Sequence, residues 1–178
     1  MKLIIGLGNP GELYKKSRHN VGFMAIDELI AKISNLSSTS SLEFQKKLQS
    51  EVLITGDMII AKPQTYMNSS GIAVSKIVNQ YKIILSNLWV IHDDLDMRLG
   101  EYKMQKGKGP KIHKGILSIE EKLGGNDFWR VRMGVDNRQQ GFRIPGEKYV
   151  LQNFDEEEKK VVDETLKRVI EVLIKERI

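Results

Sequence analysis

Residues 1–20 read MKLIIGLGNPGELYKKSRHN, and the fold turns on what the glycines are for. Residues 2–7 form a short apolar run that reads as a buried strand. Gly6, Gly8 and Gly11 then spell G-x-G-x-x-G, the spacing of a dinucleotide-binding loop. Such a loop needs a helix to begin at the second glycine, so that its free amides meet a pyrophosphate. Here Asn9-Pro10-Gly11 follows instead, a turn-forming tripeptide. The loop also needs an acid about 20 positions further on, closing a second strand. Asp27 and Glu28 stand at that distance, but inside the amphipathic pattern of residues 21–33, which predicts a helix. Gly6 and Gly11 also fit the G-x-x-x-x-G of a phosphate-binding P-loop, yet Glu12 and Leu13 stand where Lys and Ser/Thr belong. No nucleotide cofactor is expected. What remains is a tight turn in which the glycines let the chain bend so that Asn9 faces a cleft.

Outward from this turn, strands and helices alternate. Strands are predicted over residues 45–55, 58–62 (stopped by Pro63), 88–94, 97–105 and 128–135, and helices over 69–81, 113–123 and 155–176. The last helix carries Asp155, Glu156, Glu157 and Glu158 in its first turn and Lys175 and Arg177 at its end, matching the helix macrodipole. Residues 34–41, SNLSSTSS, read as a polar loop. The pattern predicts an α/β fold, a three-layer sandwich whose mixed, mostly parallel twisted sheet carries helices on both faces, in one domain over residues 1–178.

Composition narrows the function classes. The chain has 178 residues and no cysteine, which removes disulfides, thiolate nucleophiles and Cys-ligated metals and suits a reducing cytoplasm. No apolar run approaches membrane-spanning length, and a strand pattern beginning at Lys2 leaves no room for a secretion signal. The formal net charge is +5. It gathers in residues 101–114, EYKMQKGKGPKIHK, where Lys103, Lys106, Lys108, Lys111 and Lys114 face one glutamate. A basic segment of this kind suits a polyanion such as nucleic acid, although it also reads as a solvated loop.

Polar residues recur at the ends of several predicted elements: Asn9, Asn68, Asp93 and Asp94. In α/β sheets such positions converge on a site. His19, with a carboxylate and amides but with no cysteine and no G-x-S-x-G elbow, suggests general-base activation of water. Ser17, Ser69 and Ser70 are candidate nucleophiles on residue type alone, but Ser69 and Ser70 are better read as caps of the following helix. His92, Asp93, Asp94 and Asp96 offer hard-metal ligands without any of the usual histidine spacings, so no metal is expected.

Four segments in order, IGLGNPG (5–11), YKKSRHNVG (14–22), KPQTYMNSSG (62–71) and HDDLD (92–96), together resemble the bacterial peptidyl-tRNA hydrolase family. The resemblance runs over essentially the whole chain. It implies a monomeric, cytoplasmic, cofactor-free enzyme that cleaves the ester between peptide and tRNA and so recycles tRNA after abortive translation. His19 matches the family's catalytic histidine and Asp93 the carboxylate that orients it. Asn9 and Asn68 match amides of the cleft, with Tyr14, Tyr66 and Met67 beside them as substrate-facing residues. Lys103 and Arg132 match residues that hold the tRNA acceptor stem.

The chain departs from the family pattern in GKGPKIHKG (107–115). Lys114 stands where the family has an asparagine that holds the water and the substrate carbonyl. An amide donates and accepts; an ammonium only donates. Gln105 replaces the second lysine of the phosphate clamp, and Lys106 or Lys108 is expected to stand in for it. The expected function is therefore an altered but working hydrolase; the alternative is an impaired relative that binds tRNA or other RNA without hydrolysing it.

Overall fold

The computed structural model describes residues 1–34, 41–139 and 144–176; most of the predicted 34–41 loop lies outside them. Seven strands form one mixed sheet: β1 (Lys2–Gly6), β2 (Glu43–Gln45), β3 (Ser50–Thr55), β4 (Met58–Pro63), β5 (Leu88–Arg98), β6 (Tyr102–Lys106) and β7 (Trp129–Asp136). Their order is β2-β3-β4-β1-β5-β7-β6. The central four, β4-β1-β5-β7, are parallel, and the antiparallel strands β2 and β3 extend one side while β6 closes the other.

The two faces of the sheet are buried under different helices. Because side chains alternate along a strand, Leu3 and Ile5 face one way and Ile4 the other. The first face packs against α2 (Ser70–Tyr81) and α3 (Lys114–Leu123) through Val74, Ile77, Ile116 and Ile119. The second packs against α1 (Val21–Ser34) and α5 (Glu156–Glu176). On α5 the buried residues Val162, Leu166, Val169, Ile170 and Leu173 follow one stripe at helical spacing. Its start is fixed by a reciprocal cap: Glu158 N–H donates to Asp155 Oδ1 at 2.8 Å, and Asp155 N–H donates to Glu158 Oε2 at 3.0 Å. Among the described residues no helix is long and apolar enough to cross a membrane.

Three expectations need correction. The strand expected over 45–55 is broken by a turn at residues 46–49, where Gln49 takes a left-handed backbone (φ 50°). The strand expected over 97–105 is two strands joined by a turn at Gly100 (φ 88°). A short helix, α4 (Gly146–Tyr149), was not anticipated.

The glycines of the opening segment also do different work from that expected. Only Gly11 has a positive φ, 101°. Gly6 and Gly8 serve close approach: a Cβ on Gly6 would sit 2.2 Å from the Gly22 carbonyl oxygen, and one on Gly8 would sit 2.7 Å from the Phe23 ring. Gly22 is equally tight, with a Cβ there 2.4 Å from the Leu7 nitrogen and the Ile91 oxygen. The start of α1 therefore rests directly on the backbones of β1 and β5. This contact brings the 3-10 turn Arg18–Asn20, just before α1, to the carboxyl ends of the parallel strands.

Candidate active site

A cavity of about 660 Å³ opens at those strand ends. His19, Asp93, Asn9, Tyr14, Tyr66, Met67, Asn68 and Lys114 all line it, so the structure brings together every catalytic and substrate-facing residue read from the sequence.

Asp93 is the hinge of the polar network. It is 1% exposed, and its Oδ1 lies 2.8 Å from His19 Nδ1 and 3.0 Å from His113 Nε2. The tautomers follow from the partners. His113 Nδ1 accepts the N–H of Ile116 at 3.3 Å, capping α3, so its Nε2 carries the proton given to Asp93. His19 donates to the same carboxylate from Nδ1, which leaves Nε2 as the basic nitrogen of a ring that lines the cavity. Burial alone would raise the Asp93 pKa, but the two histidines and their hydrogen bonds outweigh it and hold the carboxyl well below the usual range. Asp93 is therefore a fixed anion behind His19.

His92 is fully buried, and its Nδ1 donates to the Asp93 carbonyl at 2.7 Å. Burial, with the neighbouring His113 next in weight, pushes its pKa down to about 3, so it is neutral. The group His92, Asp93, Asp94 and Asp96 disperses along β5: Asp94 pairs with Arg132 at 2.6 Å, and Asp96 accepts the Lys111 N–H at 3.0 Å. Among the described residues, His19, Asp93 and His113 do place three ligand atoms within 4.8 Å of one another. In this arrangement His19 Nδ1 and His113 Nε2 both hydrogen-bond to Asp93 Oδ1.

The amide side of the cavity is equally determined. Asn9 Oδ1 accepts the Met67 N–H at 2.8 Å. Because that partner is a donor, the atom facing it is oxygen, and the Asn9 NH₂ is turned to the cavity as a donor. Asn20 clamps the Asn9 backbone from behind, accepting its N–H and donating to its C=O, both at 2.9 Å. The serines are structural. Ser17 is fully buried, Ser70 Oγ donates to the Met67 carbonyl at 2.9 Å, and Ser69 occupies the cap position of α2 without a side-chain capping bond, contrary to expectation.

A family model described as peptidyl-tRNA hydrolase matches residues 3–176. The chain belongs to the peptidyl-tRNA hydrolase family. It is 42% identical over 175 residues to the peptidyl-tRNA hydrolase of Caldanaerobacter subterraneus subsp. tengcongensis, covering 98% of this chain and 91% of that one. To that of Lawsonia intracellularis it is 47% identical over 133 residues, 75% of this chain and 66% of the relative. Its fold is similar to the crystal structure of peptidyl-tRNA hydrolase from Acinetobacter baumannii, with a TM-score of 0.86 at 28% identity, over 98% of this chain and 88% of that one. Nothing in these comparisons favours a family member that has lost hydrolysis.

The residues expected to hold tRNA lie away from the cavity, on the β6–β7 edge. Lys103 is exposed and faces Arg132 across the strand pair. Arg132 donates to Asp94 at 2.6 Å and to Gln105 Oε1 at 2.7 Å. Lys106 pairs with Asp127 at 2.9 Å, and Lys108 is exposed. Sequence reasoning missed the site roles of His113 and Asn20, and it missed the cavity wall formed by Leu95, Ile112, Gly146, Glu147, Val150 and Leu151. Asn20 lay within the SRHN segment already singled out and so carried a readable signal, whereas the role of His113 rests on its contact with Asp93, twenty positions earlier in the chain.

Proposed function

We propose that this chain, acting as one domain over residues 1–178, hydrolyses the ester between peptide and tRNA with His19 as the general base. The observation that carries the reading is the His19–Asp93 bond: Nδ1 is held by a buried anion while Nε2 is left to the cavity. His19 Nε2 takes a proton from water as the water oxygen attacks the ester carbonyl. The imidazolium so formed is stabilised by Asp93, which His113 braces from its other side. The Asn9 NH₂, with the Asn68 amide beside it, donates to the oxyanion of the tetrahedral intermediate. Collapse breaks the bond to the ribose oxygen, and that oxygen recovers the proton from His19. The products are a peptide carboxylic acid, which loses its proton to solvent, and a free tRNA hydroxyl.

A ribose hydroxyl leaves far more readily than an amide nitrogen, so this chemistry asks for no metal and no covalent intermediate. Tyr14, Tyr66 and Met67 supply the apolar surface for peptide and terminal base. Lys114 adds a donor at the cavity wall but cannot accept a bond from the water. Lys103 and Arg132, helped by Lys106 or Lys108, hold acceptor-stem phosphates, which position RNA without reading its sequence. The cavity is complete within one chain, which supports action as a monomer, and a substrate made by ribosomes supports action in the cytoplasm.

The test is release of N-blocked amino acid from N-blocked aminoacyl-tRNA by the protein and by its His19→Ala variant. Release that requires His19 supports the reading. No release by the unmodified protein, with tRNA still bound, would overturn it in favour of an RNA-binding relative.

A further inference from the structure

Arg18 precedes His19 in sequence and is 5% exposed, and it does not line the cavity. Its guanidinium is nevertheless heavily committed. Nη1 donates to the carbonyls of Gln152 at 3.2 Å and Asn153 at 2.8 Å, and Nη2 donates to Glu158 Oε2 at 2.5 Å. The group lies 4.1 Å from the centre of the Tyr149 ring, against which Arg138 also rests at 4.9 Å. That ring is itself fixed, since the Tyr149 hydroxyl accepts the Asn137 N–H at 3.1 Å and Arg138 grips Asp136 at 2.7 and 2.8 Å.

The strip that Arg18 holds is the one from which the catalytic turn hangs. His19 N–H donates to the Val150 carbonyl at 2.8 Å, Arg18 N–H donates to Gln152 at 3.0 Å, and Phe154 N–H donates to Lys16 at 3.2 Å. Ser17 pairs with Asn153 as an isolated bridge. Val150 and Leu151, on the same strip, line the cavity together with His19. One arginine side chain thus ties together the turn bearing His19, the wall beside it and the start of α5. A buried ion pair adds little stability that apolar packing could not supply. What it supplies here is a fixed geometry between two main-chain segments.

We propose that Arg18 is a positioning residue for the reaction: by clamping residues 149–154 to the 3-10 turn, it sets the reach of His19 into the cavity. Its kinetic consequence rests on the hydrolase reading above. Without the Arg18 side chain, residues 150–154 are tied to the turn by three backbone hydrogen bonds and the Ser17–Asn153 bridge. A lysine in place of Arg18 keeps the charge but cannot serve two carbonyls and a carboxylate together.

Arg18→Met alone would strand the buried Glu158, so the informative variant is Arg18→Met combined with Glu158→Gln. Melting temperature, kcat and KM on N-blocked aminoacyl-tRNA, and the NMR signal of the His19 Nδ1 proton in its bond to Asp93 are measured together. The double variant is expected to recover most of the stability lost by Arg18→Met. It should nevertheless lose about 30-fold in kcat with KM changed less than about threefold, since small misplacements of a reacting group are costly. The His19 proton signal should broaden or vanish, and Arg18→Lys should restore kcat only in part. A double variant with kcat within about twofold of the unmodified protein and an unchanged His19 signal would overturn the proposal. Should the unmodified protein prove inactive, the hydrolase reading fails, and the His19 signal still decides whether Arg18 positions the ring.

Discussion

The cleft and the basic edge of the sheet are built on opposite plans. Around His19 in the cleft the polar groups are fixed in place: Asp93 by two histidines, the Asn9 side chain by the Met67 N–H and its backbone by Asn20, His113 by its capping bond to α3. On the β6–β7 edge Lys103 and Lys108 stand exposed, while Arg132 and Lys106 are tied to neighbours. In the function proposed above, the contrast follows from the two tasks. Activating water needs a base fixed to within a fraction of an ångström, whereas attraction to phosphate acts over a Debye length and tolerates a mobile ammonium.

The strongest way to break this comparison is at the base. His19→Ala should lower turnover by about 10³-fold, in the range expected for a positioned general base, while leaving tRNA affinity and thermal unfolding close to those of the unmodified protein. A variant that lost tRNA binding as well would mean that cleft and edge are not separate. Next comes Arg132, the edge residue built like a cleft residue. Arg132→Ala leaves the fully buried Asp94 carboxylate without its partner and should cost about 3 kcal/mol in denaturant unfolding.

A third effect comes from His92, buried behind the site. The unfolded chain binds a proton at this residue below pH ~6.5, whereas the folded protein resists doing so until about pH 3. Stability from this residue is thus full above pH ~6.5 and falls as pH drops toward 3. Denaturant unfolding should lose about 2 kcal/mol between pH 7 and pH 5 on its account, and His92→Gln should remove that part of the slope. Asp93 acts lower: its depressed pKa gives stability that is present above pH ~4 and lost on further acidification.

The smaller effects sharpen the edge. Lys103→Ala should reduce the salt dependence of tRNA binding by roughly one counterion while changing stability by less than about 0.5 kcal/mol, since its head group is exposed. An unchanged salt slope would place the RNA elsewhere. Smallest is Lys114→Asn. By restoring an acceptor beside the water it should raise turnover about threefold, and unchanged turnover would show that Lys114 does not compromise the water site.

The fold was legible wherever the apolar pattern was long. β1, α1 and α5 match their predicted ranges closely because each buries a continuous run or stripe, whereas β5, expected over 88–94, runs on to Arg98. The errors fall where a turn's mark was absent or was outweighed by the strand-like pattern around it. Gln49 adopts a left-handed backbone without being glycine or asparagine, and at Gly100 the alternating residues on either side concealed a reversal. In the site, Asp93, Asn9 and Asn68 were readable as polar residues at the ends of elements, and His19 as a histidine in the SRHN segment that could act with them. His113 was not, because its role depends on α3 delivering it to a carboxylate twenty positions earlier in the chain. Arg18 was hidden by its burial: nothing in the sequence says that a charge beside His19 faces inward toward residues 152–158.

The glycine contacts beneath α1 give the molecule a particular kind of tolerance. With Gly6 and Gly22 meeting main chain against main chain, the gap between the catalytic turn and β5 is set by the thickness of two polypeptide backbones. Side chains elsewhere in the core can exchange volume, loosen or repack without altering that thickness. Lineages are thus free to drift in the core while the catalytic spacing stays the same, and a single methyl group at either glycine closes off that freedom.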